Sequence, residues 1–169
     1  YSRAGRCYSE VSEVDTKALI QDISETLDPN HNYSINCTQA LPSFKTQKTQ
    51  LHQVFSNLIG NSIKHHHHPK GKIDIGVRDL GDFYEFSVAD DGPGIAMENF
   101  DRIFQIFQTL ENNHHSRSTG IGLSIVKKIV ESRCGGKIWL KSALGKGTIF
   151  FFTWPKHMIG GNPPIFNRS

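Results

Sequence analysis

The sequence has little of what marks a membrane protein or a nucleic-acid-binding protein. No apolar run in its 169 residues approaches the ~20 residues of a membrane-spanning helix, and no basic-then-apolar signal peptide begins it. The formal net charge is only +3, and the basic residues are dispersed rather than gathered into a stripe. We therefore expect a cytoplasmic chain without nucleic-acid or membrane contacts, although the full-length protein could be membrane-anchored upstream.

Cysteine is also scarce. The three cysteines, Cys7, Cys37 and Cys134, are odd in number and share no CxxC spacing, which disfavours a disulfide framework and a structural zinc site. A reducing compartment fits this pattern best. The hydrophobic fraction of 37% is sufficient for one core, and single domains commonly run ~100–150 residues, so we expect one domain.

Apolar periodicity predicts two long helices. The first spans residues 15–27, where Asp15 or Thr16 can cap the start and Pro29 follows the end. The second spans residues 50–64. Its apolar residues fall on one helical face and are Leu51, Val54, Phe55, Leu58, Ile59 and Ile63.

Alternating apolar residues predict the strands. Residues 72–79 and 83–90 are typical of a β-hairpin, and a second hairpin is predicted around the turn LGKG at 144–147. The stretch YSINCTQALPSFKT is broken by Pro42, which suggests two short strands with at least one at a sheet edge. This order of elements predicts an α/β (α+β) two-layer sandwich with a mixed β-sheet and helices packed on one face.

Polar residues follow one side of the second helix. Asn57, Asn61 and Lys64 lie within about 60° of one another and off the apolar face. They could be a solvated surface. Alternatively, the amide oxygens are suitable ligands for Mg²⁺ that is already neutralised by phosphate, and Lys64 could meet a phosphate.

The segment VADDGPGIA leaves a predicted strand at Asp90 and turns through Gly92 and Gly94. A simple turn explains the glycines equally well. However, an ionised carboxylate at the end of a buried strand is costly without a partner. Asp90 could accept a hydrogen bond from an exocyclic amine, and the glycines would let a flat ring approach the backbone.

The stretch STGIGLSIVKKIV places glycines before a helix, where backbone N–H groups favour a phosphate. It is not a Walker loop, because nothing in the chain matches GxxxxGK[ST]. It is also a poor dinucleotide fingerprint, since it lacks a third glycine and a preceding strand. TGIGL alone is a moderate signal, and its place among other motifs is the stronger one.

Five motifs in order resemble those of one family. NLIGNSIKH, DDGPGI, FDRIFQIF, STGIGLSIVKKIVE and GKGTIFFF resemble the N box, first glycine box, F box, second glycine box and closing strand of the sensor histidine kinase ATP-binding domain. The resemblance implies the Bergerat fold, shared with gyrase B subunits, MutL proteins and heat-shock chaperone ATPases. YSRAGR and the helix after it resemble the junction that leaves the dimerisation domain, particularly in phytochrome-like kinases.

The resemblance also implies the organisation of the chain. Residues 1–14 would be the end of an upstream dimerisation and phosphoacceptor helix or a linker, residues 15–155 the catalytic domain, and residues 156–169 a flexible tail. The phosphoacceptor histidine is expected upstream of Tyr1, so no catalytic residue is expected in this chain. The chain should therefore bind ATP without phosphorylating itself.

Site residues follow from the resemblance. Asn61 is implied as the Mg²⁺ ligand, and Asp90 as the reader of adenine, supported by Thr148 through water. The two boxes would bound a mobile lid over about residues 96–118, in which Ser118 departs from the commoner glycine. The other implied ATP contacts are Asn57, Lys64, His65, Gly92, Gly94, Ile95, Arg117, Ser118, Thr119, Gly120, Ile121, Gly122 and Leu123.

The implied reaction transfers the γ-phosphoryl group of ATP to a histidine of the dimerisation domain, for relay to an aspartate of a response regulator. The alternative is a self-sufficient ATPase or a serine-kinase-type module of the same fold. Hydrolytic relatives resemble one another in carrying a glutamate at the position of Asn57, and an amide cannot activate water. A degenerate binding module would require the loss of Asn61, Asp90 or the glycines, and all are present.

A tract of four histidines, His65 to His68, follows the second helix and precedes Pro69. It could bind a metal, but we expect it mainly to end the helix. His114 and His115 lie in the implied lid.

Overall fold

The computed structural model describes residues 10–105 and 122–158. A 3₁₀ turn lies at Met97–Asn99, and a π-helical turn at Lys128–Arg133 directly follows the helix Gly122–Lys127. The other elements are β1 (Val11–Asp15), α1 (Thr16–Leu27), β2 (Tyr33–Cys37), β3 (Ser43–Gln47), α2 (Lys48–Lys64), β4 (Gly71–Asp79), β5 (Phe83–Asp90), α3 (Gly122–Lys127), β6 (Ile138–Ser142) and β7 (Thr148–Pro155).

The main sheet has five strands in the order β2-β4-β5-β7-β6. Strand β2 pairs parallel with β4, and the other neighbours are antiparallel. Strands β1 and β3 form a separate antiparallel pair. The register aligns the end of β5 with the start of β7, because Asp90 pairs with Thr148.

The core lies between the main sheet and the helices. Phe55 of α2 contacts Phe86 and Phe152 edge-on, with ring centroids 5.3 and 5.2 Å apart. Such pairs contribute ~0.5–1.5 kcal/mol beyond the burial of their surface. The buried apolar residues of the three central strands occupy alternate positions and are Ile73, Ile75, Phe86, Val88, Phe150, Phe152 and Trp154.

The predicted mixed sheet, both long helices and both hairpins are confirmed. Asp15 caps α1 through a bond from the Ala18 backbone N–H to its carboxylate, 3.2 Å. The two strands predicted around Pro42 also form, and β2 is an edge strand as expected. No helix within the described ranges has the length and apolar content that crossing a bilayer requires.

Two features were not anticipated. Strand β1 begins at Val11, so paired structure starts before residue 15, the expected start of the catalytic domain. The helix after the second glycine box also widens into a π turn, in which the backbone N–H of Cys134 donates to the carbonyl of Ile129 at 3.0 Å. Neither feature has a signature in local apolar periodicity. Strand β1 is short and largely polar, and the π turn continues α3 without a break in the chain.

Candidate functional site

Helix α2 carries the polar stripe beside its buried face. Its apolar residues point into the core, whereas Asn57 and Asn61 are half-buried and Lys64 is exposed in the last turn. His65 caps the helix, and its backbone N–H donates to the carbonyl of Asn61 at 3.1 Å. The amides are therefore carried by a helix whose opposite face is fixed in the core.

Strand geometry directs Asp90 toward this helix. Phe86 and Val88 are fully buried beneath the helices, and the period of two along a strand puts Asp90 on the same face. Ser62 of α2 donates its hydroxyl to Asp90 Oδ2 at 3.0 Å. The residue next to Asn61 therefore contacts the carboxylate at the end of β5.

Two backbone amides hold the other carboxylate oxygen. The N–H groups of Gly92 and Thr148 donate to Asp90 Oδ1 at 2.9 and 3.3 Å. Each carboxylate oxygen has about two acceptor positions, so these bonds occupy Oδ1. Oδ2 receives only the Ser62 hydroxyl among the described groups, and it keeps one position for a donor of a ligand.

Burial raises the pKa of Asp90 above the ordinary value of an aspartate. The bonds from Gly92, Ser62 and Thr148 and the positive charge of a protonated His66 act in the opposite direction but do not cancel the burial. A carboxylate held partly away from water accepts hydrogen bonds strongly. Asp90 is thus a fixed, half-buried acceptor that a ligand donor would satisfy.

Ser142 connects the hairpin β6–β7 with the first glycine box. Its hydroxyl lies 2.9 Å from Thr148 Oγ1 and 2.8 Å from the carbonyl of Gly147, and it accepts the backbone N–H of Ile95 at 2.7 Å. Thr148 is therefore oriented from both sides, by Ser142 and by Asp90. Among the described residues, this network brings Asp90, Ile95 and Thr148 into one cluster.

Two glycines allow close approaches in this cluster. Gly94 has a φ of 77°, and a Cβ there would lie 2.1 Å from the carbonyl oxygen of Ala143. Gly147 also has a φ of 77°, and its Cβ would lie 2.0 Å from the carbonyl oxygen of Asp90. The first glycine box is thereby packed against the β6–β7 turn.

Replacing Gly147 with alanine should lower the free energy of unfolding by at least ~2–3 kcal/mol and weaken nucleotide binding. A left-handed backbone costs a residue with a side chain ~1–2 kcal/mol, and the collision with Asp90 adds to this. Gly145→Ala is the matched control, because Gly145 has the same φ of 77° and no atom within 4 Å of its Cβ position. Equal losses in chemical denaturation of the two variants would show that the approach to Asp90 is unimportant.

The end of the second glycine box lies beside the amides of α2. A Cβ on Gly122 would be 3.3 Å from Asn57 Oδ1, and Leu123 packs partly against the core. Residues 106–121 lie outside the described part of the chain. This range includes most of the implied lid and five of the implied ATP contacts, so they stay predictions. The five contacts are Arg117, Ser118, Thr119, Gly120 and Ile121.

Sequence reasoning did not identify Ser62 and Ser142. In the sequence, Ser62 resembles an ordinary small residue of the helix. Only the packing of α2 on β5 buries it, to 3% exposure, beside Asp90. Ser142 had no such signal either, because the predicted turn at 144–147 would place Ala143 opposite Thr148, whereas the register pairs Ser142 with Thr148. In residues 10–105 and 122–158, no group of three or more His, Cys, Asp or Glu side chains is arranged for a metal ion.

The chain matches a known family of ATPases. The family model described as "Histidine kinase-, DNA gyrase B-, and HSP90-like ATPase" matches residues 46–158, more than half of the chain. The chain therefore belongs to this family. The mixed sheet with its helices is the Bergerat fold of histidine kinase catalytic domains.

Several relatives of known sequence are phytochromes. Cyanobacterial phytochrome A of Nostoc sp. (strain PCC 7120) is 41% identical over 162 residues, which cover 89% of this chain and 21% of the phytochrome. This confirms the resemblance to phytochrome-like kinases. The chain spans about a fifth of the length of the curated phytochromes that it matches.

Solved structures agree with this relationship. The nucleotide-free catalytic domain of histidine kinase ThkA superposes with a TM-score of 0.71 at 31% identity, over 87% of this chain and 96% of that one. ThkA in complex with the response regulator protein TrrA gives a TM-score of 0.68 at 29% identity, over 87% of this chain and 42% of that one.

Proposed function

We propose that the chain is the catalytic domain of a sensor histidine kinase, which binds ATP and delivers its γ-phosphoryl group to a histidine of a helical dimerisation domain. One observation carries the proposal. Asp90 is held by three donors, and its Oδ2 keeps an acceptor position for the exocyclic amine of adenine. The likeness to a phytochrome and to ThkA favours a kinase over a gyrase or a chaperone.

Asn57 supports transfer to an acceptor rather than hydrolysis. An amide has no basicity with which to activate water. In the proposed reaction, a ring nitrogen of the acceptor histidine attacks the γ-phosphorus, the bond to the β–γ bridging oxygen breaks, and ADP leaves. Such a transfer depends chiefly on positioning, which Asp90 at the adenine end and Asn57 and Asn61 at the phosphate end would supply.

Asn61 is the proposed protein ligand of Mg²⁺. This ion prefers oxygen ligands and usually combines one or two protein groups with waters and substrate phosphates. The amide of Asn61 fits this role because it is neutral, half-buried and carried by a rigid helix, with Lys64 exposed on the same side. When bound, Mg²⁺ would neutralise charge on the phosphates during transfer.

The proposed partners are a dimerisation domain with the phosphoacceptor histidine and a response regulator. The structure of ThkA includes the response regulator protein TrrA, which supports a partner of this class here. We propose the same order of transfer, from ATP to histidine and then to an aspartate of the regulator. A cytoplasmic location is part of this proposal, because ATP and such regulators are found there.

Calorimetric titration tests the adenine site. ATP should bind in the presence of Mg²⁺, and GTP should bind at least ~10-fold more weakly. Guanine presents a carbonyl oxygen to Asp90, and a badly matched buried polar group costs ~1–3 kcal/mol. Equal affinities for ATP and GTP would contradict the assignment of Asp90.

Replacing Asn61 with alanine should remove most of the Mg²⁺ dependence of ATP binding. The ratio of ATP affinities with Mg²⁺ and with a chelator should fall roughly tenfold, as the loss of one contact to a charged group predicts. The side chain lies off the buried face, so no core cavity results. Asn36→Ala, at an exposed amide of β2, is the control. A nucleotide-free variant that melts far below the parent would make Asn61 a structural residue.

A further inference from the structure

One histidine of the tract after α2 has a buried side chain. The side chain of His66 is 2% exposed, although its neighbours His67 and His68 are exposed. Its Nε2 lies 2.9 Å from Oδ1 of Asp91, whose own side chain is 56% exposed. The proposed ATP contacts do not include either member of this pair.

The hydrogen bonds of His66 assign its neutral tautomer. The backbone N–H of His68 donates to His66 Nδ1 at 3.0 Å, so Nε2 carries the proton and donates to Asp91. The carbonyl oxygen of His68 is also 3.0 Å from Nδ1 and would accept from a protonated ring. Both protonation states of His66 therefore keep the bond to Asp91.

The His66 ring fills a space between three elements. A Cβ on Gly71, at the start of β4, would lie 2.5 Å from Nε2, and one on Gly92 would lie 3.6 Å from Cδ2. Tyr33 of β2 packs edge-on against the ring with centroids 5.4 Å apart. The ring thus joins the end of α2, which carries Asn61, to the segment after β5.

Asp91 connects the His66 ring with the proposed adenine site. Its Oδ1 also accepts the backbone N–H of Lys72 at 2.8 Å, so it is held from both the histidine tract and β4. Asp91 lies between Asp90 and Gly92, and the Gly92 N–H is the closer backbone donor to the Asp90 carboxylate. The orientation of that N–H depends on the two peptide units that Asp91 joins.

We propose that His66 is a positioning residue for the adenine site, acting through Asp91 to hold the backbone that orients the Asp90 carboxylate. The inference rests on the proposed function, because the site that His66 serves is the proposed adenine site. His66 is not among the proposed contacts of the nucleotide. Its contribution is the geometry of Asp90 and the charge that it places nearby.

Charge gives His66 a distinct signature. A positive charge on His66 lowers the pKa of Asp90, against the larger effect of burial, which raises it. Loss of that charge should therefore make Asp90 protonate at a higher pH. The charged and titratable groups around the ring come from β5 and its end, β4, β2 and the tract itself, and are Asp90, Asp91, Lys72, Tyr33, His67 and His68.

Two variants of His66 test the proposal. His66→Ala should weaken ATP binding ~10-fold at neutral pH, whereas His66→Gln, whose amide N–H can still reach Asp91, should stay within ~3-fold of the parent. On acidification, His66→Gln should lose affinity at a higher pH than the parent. The nucleotide is the same in both titrations, so its own ionisation cancels.

The control is His67→Ala, which removes an exposed histidine of the same tract and should leave ATP affinity unchanged. A double variant, His66→Ala with Asp91→Ala, should bind ATP no more weakly than whichever single variant has the lower ATP affinity. The reason is that His66 acts on the site only through Asp91. Parental affinity in His66→Ala, or parental pH dependence in His66→Gln, would overturn the proposal. If His66→Ala does not fold, the pH profile of His66→Gln decides alone.

The same titrations separate this inference from the proposed function. A parent protein that binds no ATP, or an Asp90→Asn variant that binds it equally well, would overturn both. A parent that binds ATP, a defective Asp90→Asn variant and unaffected His66 variants would overturn only the role of His66.

Discussion

Replacing Asp90 with asparagine should weaken ATP binding by roughly 10- to 100-fold. The acceptor pair that meets the adenine amine becomes a mixed donor and acceptor, and a mismatched buried polar group costs ~1–3 kcal/mol. Oδ1 already accepts the N–H groups of Gly92 and Thr148, so the amide of the variant turns its NH₂ group toward the ligand. Calorimetry with ATP, alongside Asp82→Asn at an exposed hairpin position, measures the effect.

The same variant should not lose stability without nucleotide. Burial raises the folded-state pKa of Asp90, so folding favours its protonated form. The resulting stabilisation is present below the ordinary pKa of an aspartate and is lost as the pH rises through the raised value. Near neutral pH the parent therefore bears an unfavourable buried charge that asparagine removes. A variant that melts well below the parent would identify Asp90 as a structural residue.

The position of Asp90 could be predicted from the sequence because it depends on local periodicity. Alternation in β5 makes Phe86, Val88 and Asp90 share a face, and the hairpin turn sets the partner strand β4. The stripe of Asn57 and Asn61 on α2 follows from helical periodicity in the same way. These patterns act over a few residues, so tertiary packing did not alter them.

Contacts between distant segments were not predictable in this way. Ser62 meets Asp90 across 28 positions of sequence, and His66 meets Asp91 across 25. Both bonds depend on how closely α2 packs on the sheet, and Gly71 leaves the space that the His66 ring occupies. A run of four histidines in the sequence suggested a helix end or a metal site, and gave no sign that one of them is buried.

Pairing between strands was the other limit. Strands β2 and β4 are separated in the chain by α2, and their parallel pairing places Tyr33 opposite Gly71. Strand β1 pairs with β3 outside the main sheet. Short strands such as these carry few apolar residues, and their partners are chosen by the packing of the whole domain. Sequence alternation therefore predicted the presence of β2 and β3 but not the sheet to which each belongs.

The chain should bind ATP yet release almost no phosphate and form no phosphohistidine until a phosphoacceptor domain is added. Asn57 cannot activate water, and general base catalysis typically contributes ~10²–10⁴-fold to such a reaction. Phosphoryl transfer further requires an acceptor held in line with the γ-phosphorus. The chain has nine histidines, and His66, which is buried against Asp91, is unsuited to this role.

Labelled ATP tests both halves of this expectation. Incubation with the chain alone should leave the label on ATP, and addition of a separately produced dimerisation domain with its histidine should raise phosphohistidine at least ~100-fold, because bound acceptors gain large effective concentrations. Asn61→Ala should abolish that gain while the parent retains it. Rapid phosphate release by the chain alone, lost in Asn61→Ala, would instead favour the self-sufficient ATPase. A stable phosphohistidine within His65 to His68, or at His114 or His115, would place the acceptor in this chain and contradict transfer to a separate domain.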